Sequence, residues 1–386
     1  MKTDLLQKVL SISFDNPAAF DRAVDDEVTR NRRLMSKERR ELTDLLFDCV
    51  RWRRRIWGEI FPSNLDPESL HKKLEDARSL RATPPMARWS TLSVDALARE
   101  LSFPTWILER WVAEFGFTSA VPLALSLNEP APLTIRANEL KTDRATLKKA
   151  LAAEDVPSAE GKHSPWALHL KDRVNIRSLK AFKLGWFEAQ DEASQLAVIG
   201  SGAKAGDTVV DVGAGTGGKT LAFAALMANQ GGIVAVDSDS RKEEEFKARC
   251  KRNGVKIARF RWVAQDDPNP LAELKEQADV VLVDAPCSSL GTLRRRPALK
   301  WETGPASIPK LAARQIALLK RSASLVKPNG RLVYVTCTIN KEENSAIVER
   351  FLQDEPGFAA PSAPKTLRPD AEGTDGFFVA TLVRHA

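Results

Sequence analysis

The sequence predicts an α/β protein built around a doubly wound parallel sheet, preceded by a small α/β module and an all-helical N-terminal domain. Three observations carry this. From residue 181 onward, apolar runs of strand length alternate with helical stretches. Residues 1 to about 125 instead keep helical spacing. Between them, PLTIRAN at 132–138 alternates apolar and polar residues, as a strand does. The expected division is therefore 1–125, 126–180 and 181–386. A chain of 386 residues is long enough for two or three domains of roughly 100–200 residues.

In the helical part, SKERRELTDLLFDCVRWRRRIWGEIF offers Ser36 as an N-cap, and Leu42, Leu45, Leu46, Cys49 and Val50 follow at helical spacing. RWRRRIW at 51–57 then interleaves four arginines with two tryptophans and an isoleucine. Such a run is either a solvated basic face over packed apolar residues or a contact for an RNA backbone. SVDALARELSF starts at a Ser93 cap. Pro104 opens a segment with Ile107, Leu108, Trp111, Val112 and Phe115 on one face, closed by Gly116.

In the middle module TDRATLKKALAA reads as a short helix and AEGKHSPW as a loop. The C-terminal part offers DTVVDVG, GGIVAVDSD, ARFRWVAQDD, ADVVLVDAP, PNGRLVYVTCT and GFFVATLV as strands, with LAFAALMAN as a helix after the first. Asn340 reads as an N-cap, with Glu343 completing a capping box before SAIVERFL.

Composition excludes several classes. The chain is 43% hydrophobic and 28% charged, ordinary for a globular protein. It has no apolar run long enough to span a membrane, and MKTDLLQKVL lacks a signal-peptide pattern, so a cytoplasmic protein is expected. The net charge of +7 suits an acidic partner such as nucleic acid. The four cysteines, Cys49, Cys250, Cys287 and Cys337, include no C-x-x-C pair, and the four histidines are scattered, so no metal site is expected.

DVGAGTGGKT at 211–220 fits two chemistries. From Gly213 to Thr220 it is G-x-x-x-x-G-K-T, a phosphate-binding loop. From Asp211 to Gly217 it is an acid followed by G-x-G-x-G, a loop that holds S-adenosylmethionine. VVLVD at 280–284 would supply the second half of an ATPase signature. Three features favour the methyl donor. Asp211 ends the strand before the loop, where it could reach the amine of a methionine moiety and would repel a triphosphate. Asp237 ends the second strand, roughly twenty residues after Lys219, where a doubly wound fold places a carboxylate on ribose hydroxyls. Asp284 is followed by Ala-Pro-Cys-Ser, and a thiol has no part in phosphoryl transfer.

Cys287 and Cys337 both lie at the carboxyl ends of expected strands, the face where an open parallel sheet binds ligands. A thiol beside a methyl donor has a use. Carbon 5 of a pyrimidine is a poor nucleophile until a thiolate adds to carbon 6 and makes it enolate-like. The proton on carbon 5 must then leave and the thiolate be expelled, which a second group can assist. An acid must hydrogen-bond the ring nitrogen that gains charge, and Asp284 is suitably placed. Two thiols, an acid and Lys219 make up this set. The Asn/Asp-Pro-Pro-aromatic pattern of adenine amino methylation is absent.

These residues resemble a known family. DAPCSSLGTLRRRP, LKW and VTCTINKEEN, in that order, are similar to motifs of the RNA 5-methylcytosine methyltransferases, as are FEAQDEAS, GFFVATL and PLTIRAN. The resemblance covers roughly 126–386. The first 120 residues resemble the NusB-type RNA-binding domain of the bacterial enzymes that modify small-subunit ribosomal RNA. The resemblance implies a Rossmann-like catalytic domain, S-adenosylmethionine as cofactor, and action on ribosomal RNA, with transfer RNA or a catalytically inactive RNA-binding relative as alternatives; a monomer is expected. It implies Cys337 as nucleophile, Cys287 as the group that assists product release, and Asp284 and Lys219 as their partners. The donor would lie along Gly213, Ala214, Gly215, Thr216, Gly217, Gly218 and Lys219, with Asp237 on the ribose and Asp266 near the adenine. Arg294, Arg295 and Arg296 would face RNA phosphate. The family loop has a cysteine where this chain has Gly213 and a proline where it has Thr216. Both changes relax the backbone and imply weaker donor binding.

Overall fold

The computed structural model describes residues 2–58, 68–69, 72–73, 89–264 and 271–386. The chain forms two compact units. One comprises Met1–Ala131, Ser288–Ile308 and Pro369–Gly373; the other comprises Pro132–Cys287, Pro309–Arg368 and Thr374–Ala386. The second unit is discontinuous, where an unbroken run 181–386 was expected. Among the described residues no helix is long and apolar enough to cross a membrane.

The first unit is helical. Leu6, Val9 and Leu10 of the helix Lys2–Asp15 pack with Leu42, Leu45, Leu46, Cys49 and Val50 of the helix Ser36–Arg51. Ser36 is the first helical residue rather than the cap. The cap is Met35, whose backbone N–H donates to Glu38 Oε2 at 2.8 Å. Ser93 does cap its helix, accepting from the Ala96 N–H at 3.2 Å. In RWRRRIW, Trp52, Ile56 and Trp57 join the core. The arginines are bound within the unit: Arg51 pairs with Asp48 at 2.6 Å, both buried, and Arg54 donates to the Phe103 carbonyl at 2.9 Å.

The segment Ser288–Ile308 is threaded into this unit by Lys300. Its buried ammonium donates to the carbonyls of Arg51 at 3.0 Å and Ser102 at 3.1 Å and to Asn128 Oδ1, and lies 3.8 Å from the centroid of the Phe103 ring. Burial, aided by the nearby Arg51 charge, pulls its pKa well below the usual lysine range. Three acceptors and an aromatic face compensate the lost hydration. The same segment carries the three arginines expected to meet RNA, and the structure corrects that expectation for Arg294. It is buried and spends its guanidinium on the carbonyls of Gly373 at 2.9 Å and Pro130 at 3.4 Å. Arg295 is half-buried. Arg296 is exposed and pairs with Asp21 at 2.8 Å and Glu302 at 3.8 Å.

The second unit holds two sheets. The strands are β1 (Leu133–Ala137), β2 (Ser158–Glu160), β3 (Ala167–Leu170), β4 (Phe187–Ala189), β5 (Thr208–Val212), β6 (Gly232–Asp237), β7 (Ala258–Trp262), β8 (Ala278–Asp284), β9 (Val326–Thr336), β10 (Phe358–Ala359), β11 (Lys365–Leu367) and β12 (Phe377–Arg384). A four-stranded antiparallel sheet has the order β2-β3-β1-β4. Its β2 falls partly in AEGKHSPW, read above as a loop, because backbone pairing with β3 orders a stretch that has no apolar alternation of its own.

The larger, eight-stranded sheet runs β10-β12-β9-β8-β5-β6-β7, with β11 added on β12. The pairs from β9 through β7 are parallel and β12 joins antiparallel. The chain reverses its strand order on either side of β5, so β5 and β8 flank the switch point where such sheets bind ligands. Val210, Val212, Val281 and Val283 enter the core on one face, and Val209, Val280 and Leu282 that on the other, as strands covered on both sides require.

Candidate active site

The carboxyl ends of β5, β6, β8 and β9 bring the expected residues together. Asp284 ends β8, and its Oδ2 accepts from Lys219 Nζ at 2.6 Å. Lys219 is in the first turn of the helix Gly218–Leu226, 9% exposed, with its ammonium 5.5 Å from the centroid of the Phe377 ring. Burial opposes its charge, but Asp284, Asp211 and Cys337 outweigh burial and hold its pKa above the ordinary lysine value. Lys219 is thus a stably charged partner of Asp284.

The two thiols meet. Cys287 Sγ and Cys337 Sγ are 3.3 Å apart, within hydrogen-bond reach, and both are half-buried. Cys49 and Cys250 are buried elsewhere, and burial pushes the Cys250 thiol up to about 11. A buried polar network joins the two thiol-bearing loops. Gln315, in the helix Ser307–Ala323, donates to the Pro286 carbonyl at 3.0 Å and to Glu343 Oε1 at 3.2 Å. Glu343 Oε2 accepts from Asn340 Nδ2 at 2.9 Å and Thr338 Oγ1 at 3.4 Å, and the Tyr334 hydroxyl donates to the Glu343 carbonyl at 2.7 Å. Asn344 Nδ2 closes the loop onto the Thr338 carbonyl at 3.0 Å. One end of this network is one residue before Cys287; the other is one residue after Cys337.

Asn340 is the N-cap of the short 3-10 turn Lys341–Glu343, without accepting a side-chain cap hydrogen bond, and the α-helix itself starts later, at Ser345 after Asn344. Glu343 meets both the Asn340 side chain and Gln315. Gln315 was not picked out from the sequence, and Glu343 was read there only as a capping partner of Asn340. The available signal was a glutamine inside the apolar stripe of an amphipathic helix, a position where a polar side chain needs a partner.

Beside this cluster lies a cleft of about 320 Å³. Its lining includes Val212, Gly213, Asp237, Ser238, Val263, Ala264, Leu271, Asp284 and Pro286. Asp237 ends β6 and is 6% exposed. It accepts from the backbone N–H of Gly215 at 2.8 Å and of Asp239 at 2.9 Å, and its two oxygens receive Lys242 Nζ at 3.0 and 3.1 Å. Lys242, on the cleft wall, was not foreseen. Ala214, Gly215, Thr216, Gly217 and Gly218 form the turn from β5 into the helix. Asp266 lies outside the described residues.

Gly213 is more than a loosened cysteine position. Its φ is +79°, and a Cβ there would stand 2.3 Å from the Asp284 carbonyl oxygen. The turn from β5 runs against the end of β8 because residue 213 has no side chain.

Asp211 corrects another expectation. It is fully buried and off the cleft. Side chains alternate along a strand, so it shares the face of Val209 and looks toward the helix Gly218–Leu226. Its Oδ2 accepts from Thr220 Oγ1 at 2.5 Å, and its Oδ1 has no hydrogen-bond partner. Burial pushes its pKa up to about 6, against the pull of Thr220 and Lys219. An acid with a raised folded-state pKa holds its proton more tightly in the native chain. The contribution of Asp211 to native stability therefore falls as pH rises from about 3.8 to about 6 and is level above. Asp211→Asn should change stability little at pH 4 and add up to about 3 kcal/mol at pH 8. Urea unfolding at both values checks this. A loss at pH 8 would mean that attraction to Lys219 outweighs burial.

The fold is that of an S-adenosylmethionine-dependent methyltransferase. A family model described as 16S rRNA methyltransferase RsmB/F matches residues 202–383, and an RsmF/B-like ferredoxin-like domain matches residues 103–177. The chain belongs to this RsmB/F methyltransferase family. It is 33% identical over 305 residues to the probable ribosomal RNA small subunit methyltransferase B of Bacillus subtilis, covering 75% of this chain and 68% of that one. The corresponding protein of Synechocystis is 34% identical over 306 residues, covering 74% and 68%. Among solved structures, that of PH0851 superimposes with a TM-score of 0.80 at 27% identity, covering 99% of this chain and 98% of that one. A methyltransferase homolog from Pyrococcus horikoshii gives 0.66 at 26% identity, covering 78% and 100%.

Proposed function

We propose that this chain methylates carbon 5 of a cytidine in ribosomal RNA through a covalent adduct to Cys337. The observation that carries the reading is the thiol pair at 3.3 Å beside the Lys219–Asp284 ion pair. An apolar wall of Val263, Leu271 and Leu318 and the carboxylate of Asp237 at its edge suit an adenosine. Asp237 would take the ribose hydroxyls, and Gly213 and its loop the methionine part. When bound, S-adenosylmethionine supplies an electrophilic methyl group.

The chain's own residues do the rest. Cys337, as thiolate, adds to carbon 6 of the base. The Lys219–Asp284 pair meets the charge that reaches ring nitrogen 3 and supplies a proton there, leaving carbon 5 electron-rich. Once carbon 5 carries the methyl group, Cys287, having passed its own proton to solvent, takes the carbon 5 proton as a thiolate, the carbon 5–carbon 6 double bond re-forms, the Cys337 sulfur leaves as thiolate, and the proton on ring nitrogen 3 returns to the Lys219–Asp284 pair. The hydrogen bond between the sulfurs lets Cys287 support the Cys337 thiolate before attack. The Gln315–Glu343 network holds the loops so that both sulfurs face one base. The target cytidine must leave its stack, at a cost of a few kcal/mol. The site of action is the cytoplasm, where bacterial ribosomal RNA is processed.

The test is methyl-labelled S-adenosylmethionine with unmodified small-subunit ribosomal RNA, beside transfer RNA, followed by nucleoside analysis. Label in 5-methylcytidine from ribosomal RNA supports the reading. Label in another nucleoside, or only in transfer RNA, overturns it.

A further inference from the structure

The turn Gly213–Lys219 is rich in glycine and has threonine at position 216, so nothing in its covalent structure stiffens it. Its carbonyls are nevertheless held from outside. Arg249, on the helix Glu243–Asn253, donates through Nη1 to the Thr216 carbonyl at 3.1 Å and to Thr216 Oγ1 at 2.5 Å. Its Nη2 donates to Glu188 Oε2 on β4 at 2.9 Å. Glu188 is buried, and its other oxygen is taken by Arg252 and Asn253. Arg136, buried on β1, donates to the Gly218 carbonyl at 3.0 Å and to Gln190 Oε1 at 2.6 Å.

Two guanidinium groups from the four-stranded sheet and a neighbouring helix thus grip the carbonyls on either side of Gly217. Gly217 itself is at φ +92°, where a Cβ would meet the Phe246 ring at 2.7 Å. Just before them, Asp237 takes the Gly215 N–H. The turn is fixed at three points, and the planar fork of an arginine serves a carboxylate and a loop at once.

We propose that Arg249, anchored on Glu188, is a positioning residue for the methyl donor: through Thr216 it holds the turn in its donor-receiving conformation. The Thr216 hydroxyl gives Arg249 a second acceptor, and this cross-link does the work that a stiffer residue at 216 would do covalently. Ordering a glycine-rich turn costs conformational entropy at every residue. A brace that meets this cost before binding raises affinity without touching the ligand. The inference rests on the donor site proposed above.

The test is calorimetric titration of the full chain with S-adenosylmethionine, together with steady-state kinetics. Thr216→Val, which removes one hydroxyl and keeps side-chain shape, should raise the donor Kd about tenfold, the worth of one charge-assisted hydrogen bond. Arg249→Met should raise it more, and adding Thr216→Val to Arg249→Met should change little further, because the two act as one contact. KM for the donor should rise by a larger factor than kcat at saturating donor falls, and KM for RNA should hold. A purely structural role would instead lower the folded fraction and leave the Kd of the folded protein unchanged. If Arg249→Met does not fold, Thr216→Val decides by itself. Wild-type protein that binds no donor overturns both the donor site and the brace. Wild-type protein that binds, with variants that bind equally well or with additive effects, overturns the brace alone.

Discussion

Cys337→Ala is expected to abolish turnover while leaving the donor bound with wild-type affinity. Cys337 follows the last residue of β9, outside the cleft lining, so its removal leaves the apolar wall and Asp237 in place. What it removes is the bond to carbon 6, and without it carbon 5 is too electron-poor to accept a methyl group. Losing a covalent nucleophile costs on the order of 10⁴-fold or more in kcat, and no neighbouring group substitutes for it at the same carbon. Single-turnover transfer of labelled methyl groups reads the loss, and calorimetry reads the retained affinity. Activity within tenfold of wild type would remove Cys337 from the mechanism.

Cys287→Ala is expected to stop the cycle at the opposite end. Attack and methyl transfer proceed, more slowly because Cys337 loses its sulfur neighbour at 3.3 Å. The proton on carbon 5 then has no acceptor, so the Cys337–base bond persists. Protein should accumulate on RNA as a complex that survives denaturing electrophoresis and carries one labelled methyl group. The doubly substituted Cys287→Ala/Cys337→Ala protein should form none. A Cys287→Ala variant that releases methylated RNA at the wild-type rate would assign proton removal to another group.

The strand pattern and the order of motifs are local properties, and both were legible. Apolar runs such as VVLVD are strands wherever a sheet is covered on both faces, and an acid or thiol at the end of such a run falls at the sheet's carboxyl edge. That logic was sufficient to bring Lys219, Asp284, Cys287 and Cys337 into one cluster, and to put Asp237 on the cleft. It failed for Asp211, one residue inside its strand, because alternation says that a side chain changes face and not which face carries the ligand. It failed for Arg294 because an arginine-rich loop reads the same whether its guanidinium groups meet solvent or buried carbonyls.

Sequence pattern alone thus determined the class of fold and the placement of the acids and thiols at the strand ends. Period and residue type are local and survive without knowledge of neighbours. Tertiary structure alone decided the rest: that Ser288–Ile308 is pinned into the helical unit by Lys300, that Gln315 and Glu343 bind the two thiol loops together, and that Arg249 holds Thr216. Each depends on a buried or half-buried polar group finding an acceptor far away in the chain. The cost of leaving such a group unpaired drives the pairing, but nothing in the local sequence names the partner.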